Sequence, residues 1–126
     1  MNIPDGLKYT KEHEWVSLEG NVATIGITDY AQGELGDVVF IDIDPNLSEV
    51  TQGGNCGTIE AVKTVSEIYA PCSGKVLEIN PVLSANPETV NQDPYGTGWM
   101  LKIEITNPAE LDSLLDTNGY RELIGQ

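Results

Sequence analysis

Lys63 lies in the run Gly57-Thr-Ile-Glu-Ala-Val-Lys63-Thr-Val-Ser-Glu-Ile-Tyr-Ala-Pro71-Cys-Ser-Gly74 and offers a primary amine where two short apolar segments meet. Ile59 and Ala61 on one side, and Val65 and Ile68 on the other, read as strands that turn back on one another at the lysine. An amine held at such a turn is a nucleophile that another enzyme can acylate, which removes its charge and adds a tether. Plain solvent decoration is the competing reading. The chain has only five lysines and one arginine among 126 residues, so each cation carries weight. No second set of residues competes for a chemical role. His13 is the only histidine and has no nucleophile near it in sequence, so a packing role is expected and a hydrolase is not. No catalytic residue is assigned. Cys56 and Cys72 would sit at the outer ends of the hairpin, as two packed thiols or as a redox pair. No clustered Cys/His spacing supports a metal site.

The elements that must hold Lys63 are mostly short strands. Residues 14–18 and 21–27 read as strands joined at Glu19-Gly20. Thr28 is placed to cap a helix over 29–35, which Gly36 ends. Further strands are expected at 36–42, 56–62, 64–69, 75–79 and 99–105, with mostly loop over 80–97. Asn107-Pro108-Ala109-Glu110 reads as the start of a C-terminal helix carrying Leu111, Leu114 and Leu115, followed by a weakly signalled short turn or helix around Tyr120 to Ile124. An internal echo surrounds the lysine. Gly36-Asp-Val-Val-Phe-Ile resembles Gly74-Lys-Val-Leu-Glu-Ile, 38 residues on, and Glu49–Gln52 resembles Glu88–Gln92, with Gln92 40 residues after Gln52. Two such half-units predict a mainly β, pseudo-twofold flattened barrel or sandwich with Lys63 at the junction.

Composition narrows the partners. A net charge of -14 opposes nucleic acid, whose phosphates the surface would repel, and favours steering towards basic patches on proteins. No apolar run approaches membrane-spanning length, and Met1-Asn-Ile-Pro-Asp-Gly shows no export pattern, so a soluble, cytoplasmic chain is expected. The length fits one domain, residues 1–126.

The segment Glu60-Ala-Val-Lys63-Thr-Val-Ser-Glu-Ile-Tyr-Ala-Pro71-Cys-Ser-Gly74 resembles the lipoylation site of the H-protein family of the glycine cleavage system. Four more blocks match that family in order: Tyr9–Val16, Ala23–Ala31, Leu35–Phe40 and Asn91–Met100. The resemblance implies a lipoyl/biotinyl-type barrel-sandwich hybrid, with its core at about 22–105 and a helical segment at about 107–124. It implies lipoic acid joined to Lys63 by an amide, installed by a lipoate-attachment enzyme. The chain would then be a carrier and not an enzyme. It would pass an aminomethyl group from a pyridoxal-phosphate glycine decarboxylase to a tetrahydrofolate-dependent aminomethyltransferase, and electrons to dihydrolipoamide dehydrogenase.

A disulfide-ended arm suits that work, since thiolate exchange opens and closes it reversibly. Its amine cargo needs shelter from water, and the resemblance places the arm against Glu14 and Glu67, with Glu12 as a further candidate in a position often held by serine. Cys72 and Ala61 depart mildly from the family pattern. A biotin carrier would flank the lysine with methionines, whereas Val62 and Thr64 stand here. The lipoyl domain of a 2-oxo acid dehydrogenase would carry flexible linkers, absent from this chain. Donation of the lipoyl group onward to other proteins uses the same lysine and stays open.

Overall fold

The structure, a computed structural model, describes residues 1–126. Two antiparallel sheets form it. Strands β1 (Lys8–Tyr9), β2 (Glu14–Glu19), β3 (Val22–Ile27), β5 (Glu49–Val50), β8 (Gly74–Ile79) and β9 (Leu101–Ile105) make a six-stranded sheet in the order β1-β2-β3-β9-β8-β5. Strands β4 (Val38–Asp42), β6 (Asn55–Ala61) and β7 (Val65–Tyr69) make the second, in the order β4-β6-β7. The inward faces bury a cluster of 19 residues that includes Ala23, Ile25, Ile27, Ile59, Ile68, Leu101 and Ile103, as period-two alternation requires. Both cysteines belong to this cluster as free thiols, and burial pushes Cys56 up to about 12 and Cys72 to about 11. They remain protonated packing groups.

The β2–β3 hairpin follows the expected pattern, with Glu19 opposite Val22 and the turn at Gly20-Asn21, one residue later than read from sequence. Gly20 takes φ +61, which glycine adopts freely. The far side of this sheet carries a second cluster of Ile3, Tyr9, Trp15 and Tyr120. Trp15 faces Gly26 across the ladder, and a Cβ on Gly26 would lie 2.7 Å from the indole. Helix α1 (Asp29–Leu35) begins where expected, with Thr28 Oγ1 accepting from the Ala31 N–H at 3.1 Å.

Residues 80–97 are mostly loop, as expected, but two one-turn helices break it: α2 (Val82–Ala85) and α3 (Thr89–Gln92) bury Leu83 and Val90 in the main core. The prolines and asparagines there serve turns and long-range bonds while the apolar residues still pack. The helix expected from Asn107 is a 3-10 turn over Pro108–Ser113, and the Asn107 side chain caps nothing. Glu110 explains the difference. Its carboxylate accepts from the Ser73 N–H at 2.7 Å and the Ser73 hydroxyl at 2.9 Å, which pins the segment to the barrel end. The short final element expected around Tyr120 to Ile124 is a helix that starts earlier, α4 (Thr117–Leu123), capped by Asp116, whose side chain accepts from the Gly119 N–H at 2.7 Å.

The internal echo is half structural. β4 and β8 lie in different sheets, and each has a register shift, at Val38/Phe40 and at Val76/Glu78, again 38 residues apart. The second echo fails, since Glu49–Val50 is a strand and Thr89–Gln92 a helix.

Candidate functional site

Lys63 occupies the tip between β6 and β7. The Ala61 N–H donates to the Thr64 carbonyl at 2.9 Å, leaving Val62 and Lys63 as the two residues of the turn. The Val62 N–H donates to the Asp37 carbonyl at 2.9 Å, so the tip is braced from the neighbouring segment. Lys63 is exposed and enters no ion pair.

Its aliphatic stem runs over Gly36. A Cβ there would meet Lys63 Cε at 3.2 Å and Cδ at 3.3 Å, and Gly36 holds φ +77 and ψ -159, a region reserved almost wholly to glycine. Asn91 straps the same segment. Its amide donates to the Gly36 carbonyl at 2.9 Å and accepts from the Val38 N–H at 2.9 Å. Replacing Gly36 by alanine is therefore expected to destabilise the fold by about 1–3 kcal/mol, read as a lowered urea midpoint, and to turn the lysine stem from its place. A midpoint equal to the parent's would show that the strain is absent.

Beside the root of this lysine, next to Leu35 and Ser66, lies a cleft of about 250 Å³. Glu12, Glu14 and Glu67, the three acids singled out from sequence, all line it, together with Glu34, His13, Tyr30 and the apolar Ile27, Leu35 and Ile59. Four glutamates and no lysine or arginine face this space. Glu12 and Glu67 are exposed, and the Tyr69 hydroxyl donates to Glu67 Oε2 at 2.6 Å. Glu34 and Ser66 were not identified from sequence. Glu34 reads there as one more helix-surface acid, and only the fold brings it opposite β7.

Glu14 differs from the other three. It is 2 % exposed, and each carboxylate oxygen has one donor: the Thr10 hydroxyl to Oε1 at 2.6 Å and the Tyr69 N–H to Oε2 at 3.2 Å. No cation pairs with it. Burial, only partly offset by those two donors, lifts its pKa to about 7. Glu14 also borders a second cleft of about 420 Å³ on the side of Thr10, Gln52 and Tyr69, so it forms a shared wall.

His13 sits in the turn before β2 at φ +68, a left-handed conformation that histidine tolerates better than branched residues do. Its Nδ1 lies 2.9 Å from the Tyr120 hydroxyl, and its ring is 4.8 Å from the Tyr30 ring. Burial lowers its pKa, so the ring is neutral at pH 7 and adds no positive charge to the cleft. The packing role read from sequence is what the contacts show.

Two antiparallel sheets wrapped around one core, with a lysine at a braced hairpin tip, place the chain in the lipoyl-type barrel-sandwich class. A sequence model described as Glycine cleavage H-protein matches residues 7–126. The glycine cleavage system H protein of Staphylococcus haemolyticus is 53% identical over 126 residues, covering 100% of both chains. That of Bacteroides fragilis is 54% identical over 125 residues, 98% of each. A crystal structure of a glycine cleavage system H protein from Mycobacterium marinum aligns with TM-score 0.89 at 35% identity, over 98% of this chain and 100% of that one. The chain belongs to the glycine cleavage H-protein family.

Proposed function

We propose that residues 1–126 act as one carrier unit of glycine cleavage, with lipoic acid in amide linkage on Lys63. The observation that carries this reading is the exposed, braced lysine rooted beside a cleft lined by four glutamates and no cation. The donor set fits the group. An unpaired amine at a two-residue tip can be acylated without disturbing any ion pair, and the acid-lined cleft suits a cationic amine. When bound, the lipoyl group supplies a reversible disulfide–dithiol couple at the end of a flexible tether.

The chain's own residues do the rest. Lys63 Nζ, having given up a proton to solvent, forms the amide by displacing the activating group of an acyl donor. The Ala61–Thr64 and Val62–Asp37 hydrogen bonds hold the tether's root still, so its reach is set by the arm alone. Ile27, Leu35 and Ile59 keep water from the inner wall of the cleft. Glu12, Glu14 and Glu67 present oxygens to an ammonium. Glu14 can hold a proton at neutral pH when no cation is near and release it when one arrives.

In this reading the chemistry belongs to partners: a pyridoxal-phosphate glycine decarboxylase, a tetrahydrofolate-dependent aminomethyltransferase and dihydrolipoamide dehydrogenase. Tethering raises the effective concentration of the reactive end at each docked partner. The test is exchange of labelled carbon dioxide into glycine by the decarboxylase. The lipoylated chain is expected to support it, and the unmodified chain to leave it at background. Equal rates with both forms would overturn the reading.

A further inference from the structure

The outer face of the β4-β6-β7 sheet carries an apolar patch around Lys63. β6 lies between the other two strands, and the register puts Phe40 opposite Glu60 and Glu60 opposite Val65, so these three form one row across the sheet. Phe40 is 48% exposed and Val65 61% exposed. Val62 at the tip is 72% exposed and Val39 54%. Phe40 is the only phenylalanine in the chain, yet it faces solvent. The bulge at Val38/Phe40 is the cause. It keeps Val38 and Ile41 buried while turning both Val39 and Phe40 outward.

The molecule contains its own comparison. The matching bulge in β8, 38 residues on and in the other sheet, places Glu78 where β4 has Phe40, and Glu78 reaches Lys102 at 3.9 Å. The same backbone device thus exposes a solvated acid in one half and an aromatic ring in the other. Apolar area left in water so close to a reactive amine has a use if a partner covers it.

Charge limits what that partner can be. The next row across the sheet is Asp42, Thr58 and Glu67, so with Glu60 the face carries three carboxylates, and none of the other five cations lies on β4, β6, β7 or the tip. A complementary surface has an apolar pocket flanked by lysine or arginine.

We propose that this face is the docking surface for the enzyme that acylates Lys63, with Phe40 as the anchor and Val65 beside it. The assignment rests on the carrier reading above. The acylating enzyme has to take the bare ε-amine into its own active site, so it must close over the residues that encircle the tip. A visitor to the finished arm meets the reactive end a tether's length away and can leave the sheet face uncovered.

Phe40→Thr and Val65→Thr test this, because threonine keeps strand preference at two exposed positions. Initial rates of Lys63 lipoylation by a purified lipoate-attachment enzyme, at varied carrier concentration, separate KM from kcat. Phe40→Thr is expected to raise KM about tenfold and Val65→Thr about threefold, with kcat within about twofold of the parent. The parent's KM is expected to rise with salt, and Glu60→Gln to flatten that rise. An unchanged KM in both threonine variants, or a loss confined to kcat, would refute the docking role while leaving the carrier reading intact. A parent chain that accepts no lipoyl group at Lys63 would remove both.

Discussion

Lys63→Arg is expected to accept no lipoyl group and to leave glycine-dependent carbon dioxide exchange at background, while melting within about 0.5 kcal/mol of the parent. The reason is chemical. Arginine keeps the charge and length of the side chain, but its guanidinium stays protonated and cannot serve as an acyl acceptor. The fold has no stake in the exchange, because Lys63 is exposed and unpaired at a turn held by backbone hydrogen bonds. Retained exchange activity in a correctly folded Lys63→Arg chain would mean that another group carries the chemistry.

Glu14→Gln is expected to act on stability and function in opposite directions. In the folded chain the Glu14 carboxyl titrates at about 7, against 4.5 in its ordinary state. Below pH 4.5 it is protonated in the folded and unfolded chains alike and contributes no pH dependence. Between that value and about 7 the folded chain holds a proton that the unfolded chain has lost, so stability falls as pH rises. Above 7 the cost of burying the carboxylate is complete, on the order of 3 kcal/mol. Glu14→Gln should therefore melt higher than the parent at pH 8, with the gain fading towards pH 4. The amide is neutral, so the same variant is expected to lose an amine cargo from the arm roughly tenfold faster, the value of one charge-assisted hydrogen bond. Glu14→Ala should show the faster loss as well. A melting difference independent of pH, together with an unchanged cargo half-life, would exclude Glu14 from both roles. Residues kept for function at a cost in stability behave in this way.

Much of the scaffold could be read along the chain because it is local. The alternation in Val22–Ile27, the Thr28 cap and the half-repeat around Gly36 and Gly74 each write a short-range rule into consecutive residues. The C-terminal segment could not be read this way. Its capping signal at Asn107 is overruled by Glu110, whose carboxylate answers to Ser73, 37 positions earlier. The site was legible in part. Lys63 declared itself through its motif, and the resemblance pointed to the acids. That Glu14 is buried with a donor on each oxygen, while Glu12 and Glu67 stay in water, depends on Thr10 and Tyr69 meeting across the sheets. Glu34 joins the same cleft only because α1 lines one side of it. Phe40 was legible only as part of a strand, and the bulge that turns it outward shows only in the register of β4 against β6.

The central claim is that Lys63 is the tether for lipoic acid. Mass measurement of the intact chain after incubation with a lipoate-attachment enzyme, followed by peptide mapping, tests it directly. One lipoyl-sized addition per chain, carried by the peptide that contains Lys63 and by none of the other four lysines, is the predicted result. A biotin-sized addition, a lipoyl group on a different lysine, or a chain that stays unmodified would contradict it.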